Sequence, residues 1–107
     1  MTGDFNPGDR VMAQWQGDRL WFPGAVHSIG EDGSLAIRYD DGTSEIRPAN
    51  QVKRYDWQVG SRIDAIWSGN GQWYAAEIIE ADGPNLTVRF LDDGIVEQTV
   101  TGRCRSE

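Results

Sequence analysis

Ile37-Arg38-Tyr39-Asp40-Asp41-Gly42 and Val88-Arg89-Phe90-Leu91-Asp92-Asp93-Gly94 say the same thing twice. In each, apolar residues alternate with an arginine and the run ends in Asp-Asp-Gly. The coincidence extends outward in both directions. At a shift of 52 positions Gly8 falls on Gly60, Arg10 on Arg62, Ala13 on Ala65, Trp15 on Trp67, Gly17 on Gly69 and Trp21 on Trp73. Asp40-Asp41-Gly42 falls on Asp92-Asp93-Gly94, and Glu45 on Glu97. Between these anchors Ile37-Arg38-Tyr39 matches Val88-Arg89-Phe90 at a shift of 51, which makes Leu91 an insertion in the second copy. Identical tryptophans and turns at fixed spacing mark an internal duplication, so each half must be a folding unit of about 50 residues.

Each copy reads as short strands. Val11, Ala13 and Trp15 alternate with Arg10, Met12 and Gln14, and Ile63, Ala65 and Trp67 with Arg62, Asp64 and Ile66. A period of two marks strands with one buried face. Leu35, Ile37 and Tyr39 share a face, as do Leu86, Val88 and Phe90, with Arg38 and Arg89 pointing away. Turn signals separate the runs. Asn6-Pro7-Gly8-Asp9 suits a type II turn. Asp32-Gly33, Asp41-Gly42, Asp82-Gly83 and Asp93-Gly94 have the chemistry of tight primed hairpins, in which both residues take positive φ. One helical turn is expected at Pro48-Ala49-Asn50, before a last strand around Val52; no longer helix has a 3.6-residue period.

Four or five strands in so short a stretch favour a small closed barrel, which leaves no sheet edge exposed. A barrel of this size buries only about 60% of its unfolded surface. The copies, residues 1–54 and 55–107, are therefore expected to pack together through Arg54-Tyr55-Asp56-Trp57, with Trp57 as a wedge. The fold class expected is all-β, two tandem five-stranded barrels.

The run Gly8-Asp9-Arg10-Val11-Met12-Ala13-Gln14-Trp15, then Trp21-Phe22-Pro23-Gly24-Ala25-Val26, then Ile37 to Gly42, resembles a Tudor domain. Gly60 to Trp67, Trp73-Tyr74-Ala75-Ala76-Glu77-Ile78 and Val88 to Gly94 resemble a second. The resemblance covers about Phe5 to Arg105 as a tandem Tudor (Agenet-like) module of SH3-like barrels. It implies an aromatic cage for methylated lysine or arginine. The cage would be built from the tryptophan ending the first strand, an aromatic opening the second, an aromatic ending the third and an acid in the turn after it. These positions hold Trp15, Phe22, Tyr39 and Asp41 in the first copy, the favoured site. In the second they hold Trp67, Tyr74, Phe90 and Asp93. Thr43 and Ile95 stand where many members carry a further aromatic or polar cage residue.

The implied chemistry is consistent. A methylated ammonium keeps its charge while losing hydration, and each ring face contributes roughly 0.5–2 kcal/mol depending on desolvation. A carboxylate accepts the N–H that mono- and dimethyl-lysine retain, so Asp41 would favour lower methylation states. Two other readings stand beside this one. Trp15 and Trp67 are in phase with core residues, and large aromatics in strands often simply pack; a structural adaptor with vestigial cages follows. Trp21 and Trp73, in the opposite phase, are expected to be partly exposed. Lys53-Arg54, Arg103 and Arg105, with Arg38 and Arg89, also form a candidate stripe for nucleic acid.

Composition narrows these. A net charge of −7 argues against nucleic acid, whose binding draws on phosphate neutralisation, and favours a basic peptide. That peptide would be a histone tail in a eukaryote. With one histidine and one cysteine, Cys104, the chain offers no metal set or cofactor site and no nucleophile–base arrangement. Asp-Asp in a hairpin is explained by turn chemistry, so no enzyme is expected. Cys104 should pack in the last strand, as Val52 does. With no signal-peptide pattern in the first residues and no membrane-length apolar run, the protein is expected inside the cell, nuclear if eukaryotic and cytoplasmic if bacterial.

Overall fold

The computed structural model describes residues 5–107. They divide into two compact units, the first ending at Tyr55 and the second beginning at Asp56. In the first, β1 (Arg10–Gln14), β2 (Trp21–Ile29), β3 (Leu35–Tyr39), β4 (Ser44–Arg47) and β5 (Val52–Arg54) form one sheet in the order β4-β3-β2-β1-β5. In the second, β6 (Arg62–Ile66), β7 (Trp73–Asp82), β8 (Asn85–Phe90), β9 (Val96–Val100) and β10 (Cys104–Arg105) form the same sheet, in the order β10-β6-β7-β8-β9. All pairings are antiparallel. Each unit is an SH3-like five-stranded β-fold, and the only helical pieces described are three single 3-10 turns.

The strand alternation makes the core. Val11, Ala13, Val26, Leu35, Ile37, Tyr39 and Val52 are buried together, with Phe5 and Phe22 packed against them. Ile63, Ala65, Ala76, Ile78, Leu86, Val88, Phe90 and Cys104 are the buried counterparts of the second unit. The long second strands, β2 and β7, carry register shifts at Val26/Ser28 and at Ile78/Glu80. Such bulges bend a strand and let it serve both sides of a small barrel.

Several local expectations are corrected. Trp15 does not continue β1, which stops at Gln14; it opens a 3-10 turn, Trp15–Gly17, in which Gln16 takes a φ of 52°. Met12, read as outward, is fully buried, in register with Pro23 and Lys53. Trp57 belongs to the second unit and is buried, its indole N–H donating to Ser106 Oγ at 3.1 Å. The expected turn near Pro48 is present as Ala49–Gln51, but its equivalent at Thr101–Arg103 has no proline to announce it.

The turns after β3 and β8 matter most for the site. Asp41 does not take positive φ; only Gly42 does, at 95°. The connection is therefore a three-residue loop, a type I-like turn closed by a left-handed glycine, and not a primed two-residue hairpin. Its marks are Gly42 N–H to Tyr39 O at 3.0 Å and Tyr39 N–H to Thr43 O at 2.8 Å. In the second unit Gly94 N–H reaches Phe90 O, four residues back, at 2.9 Å. The extra residue is absorbed inside that wider loop.

Candidate functional site

At one end of the first unit three rings from separate segments meet. Phe22 lies in register with Ala13 on β1, and Gly24, two residues on, lies opposite Tyr39. Gly24 is needed there: a Cβ would sit 2.6 Å from the Arg38 carbonyl oxygen. Trp15 and Phe22 are 6.0 Å apart at 68°, and Phe22 and Tyr39 6.5 Å apart at 83°. Both contacts are edge-to-face, the arrangement ring quadrupoles favour. Trp15 is 40% exposed and Tyr39 only 3%. Trp15 is thus partly open to solvent while its edge-to-face contact with Phe22 is made. Asp41, on the neighbouring turn, accepts from Thr43 N–H at 2.9 Å and Thr43 Oγ1 at 2.7 Å through Oδ1.

The second unit repeats the arrangement. Trp67 and Tyr74 are 6.1 Å apart at 83°, and Tyr74 and Phe90 6.5 Å apart at 90°. These rings, with Ala75, Asp92 and Asp93, line a cavity of about 140 Å³. Phe90 is 5% exposed and forms its floor. The Trp67 ring rests on Gly69, where an added Cβ would meet it at 2.5 Å. Asn70 donates to Tyr74 Oη at 2.7 Å and fixes that ring. Asp93 Oδ1 accepts from Ile95 N–H at 3.0 Å, the same turn that Asp41 makes. A larger hollow, about 530 Å³, lies along β8 and β9 but carries no aromatic ring.

Four contributors escaped the sequence reading. Glu45 Oε1 accepts both Tyr39 Oη–H at 2.9 Å and Gln16 N–H at 2.8 Å. It therefore pins the strained turn that carries Trp15 to the ring at the base of the cluster. Burial and the Glu45 carboxylate push the Tyr39 phenol well above its ordinary value. Glu97 does a reduced version of this work, accepting from Ser68 Oγ at 2.8 Å and from Ser68 N–H at 3.3 Å. The coincidence of Glu45 and Glu97 in the repeat was the available signal. Asp92 and Asn70 were the other two, and neither stands out from ordinary turn residues.

The remaining candidates fall outside the clusters. Trp21 and Trp73, partly exposed as expected, are each capped by a cation of the same unit: Lys53 Nζ at 4.7 Å and the Arg105 guanidinium at 4.1 Å. Of the arginine stripe, Arg54 pairs with Asp9 at 3.3 Å, Arg89 with Glu77 at 3.1 Å and Arg105 with Asp64 at 3.5 Å. Cys104 is buried in β10 opposite Ala65, and burial pushes its thiol up to about 12. Among the described residues no group of acids, histidine and cysteine could hold a metal ion.

Residues 7–55 match the family described as the DNA repair protein Crb2 Tudor domain. Curated relatives include the survival of motor neuron-related-splicing factor 30 of Xenopus tropicalis, 44% identical over 45 residues. The match covers 42% of this chain and 19% of that protein. The same factor from Bos taurus is 40% identical over 53 residues, covering 50% and 22%. The chain thus spans about a fifth of the length of these relatives. Among solved structures, Arabidopsis thaliana AGDP1 AGD34 aligns at a TM-score of 0.46 and 16% identity, covering 96% of this chain and 82% of that one. The SHH1 SAWADEE domain in complex with an H3K9me3 peptide aligns at 0.42 and 13%, covering 95% and 99%.

Proposed function

We propose that this chain, a Tudor-type domain protein, holds a methylated lysine, or a methylated arginine, of a basic peptide against its ring clusters. Tudor-type domains are non-catalytic binding modules, and the chain is one of them. The observation that carries the finer reading is the convergence, in both units, of three rings from three segments beside a turn carboxylate. A solvent-exposed Trp15 at the mouth and a buried Tyr39 at the base give the first cluster an open side and a floor. At 40% exposure, Trp15 keeps ring surface available to a ligand.

A methylammonium entering such a corner faces several electron-rich surfaces at once, each contributing about 0.5–2 kcal/mol. The rim carboxylates add attraction, and the net charge of −7 draws basic peptides in. The test is a titration of mono-, di- and trimethyl-lysine and methyl-arginine peptides, followed by NMR at the Trp15 and Trp67 indoles. The reading expects saturable shifts at one or both, lost in the Trp15→Ala/Trp67→Ala double variant while the remaining spectrum stays dispersed. Absence of any shift with all the peptides overturns it.

A further inference from the structure

Given the proposed reading of methylated cations, on which this step rests, we infer that Asp92 is a second ligand-contacting carboxylate. It makes the second unit's pocket selective for an ammonium that keeps two N–H groups, as monomethyl-lysine does. The argument starts from the longer turn. In the first unit Asp40 N–H donates to Pro23 O at 2.9 Å; in the second, Leu91 N–H donates to Ala75 O, the corresponding carbonyl, at 3.1 Å. Leu91 therefore stands in Asp40's place. Asp93 makes Asp41's side-chain turn, each aspartate accepting from the amide two residues later. The residue without a counterpart in the three-dimensional alignment is Asp92.

The exchange of Asp40 for Leu91 alters the charge available to a ligand. Asp40 is clamped by Arg10 in a bidentate pair, at 2.6 and 2.7 Å, on the outside of the sheet. Asp92 instead lines the aromatic cavity beside Asp93, and no lysine or arginine lines it with them. Asp93 spends Oδ1 on the Ile95 amide; Asp92 has no hydrogen bond or ion pair among the described residues. The cavity is thus lined by three rings and two carboxylates.

Shape and donors then choose the ligand. The rings meet at 83° and 90°, a corner that wraps a tetrahedral ammonium. A guanidinium spreads its charge over a plane, whereas an ammonium concentrates it at one atom between the rings and the carboxylates. Monomethyl-lysine gives each carboxylate an N–H. Dimethyl-lysine satisfies one, and trimethyl-lysine satisfies neither, so it keeps only the charge attraction that all three states share.

The experiment uses the full chain carrying Trp15→Ala, which disables the first cluster at an exposed ring, so that the Trp67 indole reports the second pocket alone. Monomethyl-lysine peptide is expected to bind roughly tenfold more tightly than trimethyl, and Asp92→Asn to weaken monomethyl binding about tenfold while changing trimethyl binding little. Equal loss for all methylation states, no loss, or trimethyl or methyl-arginine peptide binding tightest would each overturn the inference. If Trp67 never responds while Trp15 in the unmodified chain does, this inference fails and the general reading survives. If neither responds, both fail.

Discussion

Glu45→Ala is the substitution whose consequence the structure defines most closely. The side chain is 18% exposed, and one oxygen, Oε1, accepts both the Tyr39 hydroxyl and the Gln16 amide. Net contributions of hydrogen bonds to charged groups run at about 1.5–3 kcal/mol. The Gln16 amide is near solvent and can turn to water, so its share is small. The Tyr39 hydroxyl belongs to a residue only 3% exposed and has nowhere to turn. Truncation should therefore cost the first unit about 2–4 kcal/mol, most of it the penalty of an orphaned hydroxyl. A domain of some fifty residues has only about 3–8 kcal/mol to lose, so the effect is large. The assay is denaturant unfolding with residue-resolved hydrogen exchange, which separates the two units. Glu97→Ala, where Phe90 carries no hydroxyl, should cost its unit less than about 1 kcal/mol. The decisive comparison is Tyr39→Phe/Glu45→Ala, which should be more stable than Glu45→Ala alone because the orphan is gone. If the double variant is less stable than Glu45→Ala, the reasoning is wrong.

The remaining predictions concern single features. Because the folded Tyr39 phenol titrates above its ordinary value of 10.0, the folded state holds that proton more tightly than the unfolded chain. The stabilisation is fully present below pH 10 and declines above it, by at most about 1.4 kcal/mol per pH unit, and Tyr39→Phe should flatten the fall in Tm. Gly24→Ala should destabilise the first unit by about 1–3 kcal/mol in thermal unfolding, since the new methyl meets backbone and not a yielding side chain. Cys104 should resist a thiol reagent in the folded protein at pH 8 and react fully in denaturant. Rapid reaction in the native state would contradict its placement in β10.

Much of the architecture was written in local patterns. The alternation in Leu35, Ile37 and Tyr39 specified a buried face because successive side chains on a strand point oppositely. The repeat then carried each assignment from one unit to the other. The ring positions Trp15, Phe22, Tyr39, Trp67, Tyr74 and Phe90 were named from the family resemblance, since periodicity alone put the two tryptophans in core phase. Where the reading slipped, the cause was a long-range partner. Trp15 leaves β1 at a turn held by Glu45, 29 residues from Gln16. The insertion was assigned to Leu91 by alignment of letters, whereas the hydrogen-bonded backbone assigns it to Asp92.

The chain's letters alone determined that there are two small β-units, where their strands run and which aromatics head them, because alternation, turn chemistry and duplication are all encoded within a few neighbouring residues. Folding decided which carboxylates face the rings. Asp40 is drawn outward by an arginine 30 residues away, whereas Asp92 is left facing the cavity by a turn one residue longer. Charge placement of that kind depends on cross-strand register and on backbone bonds between distant segments, and no local pattern records it.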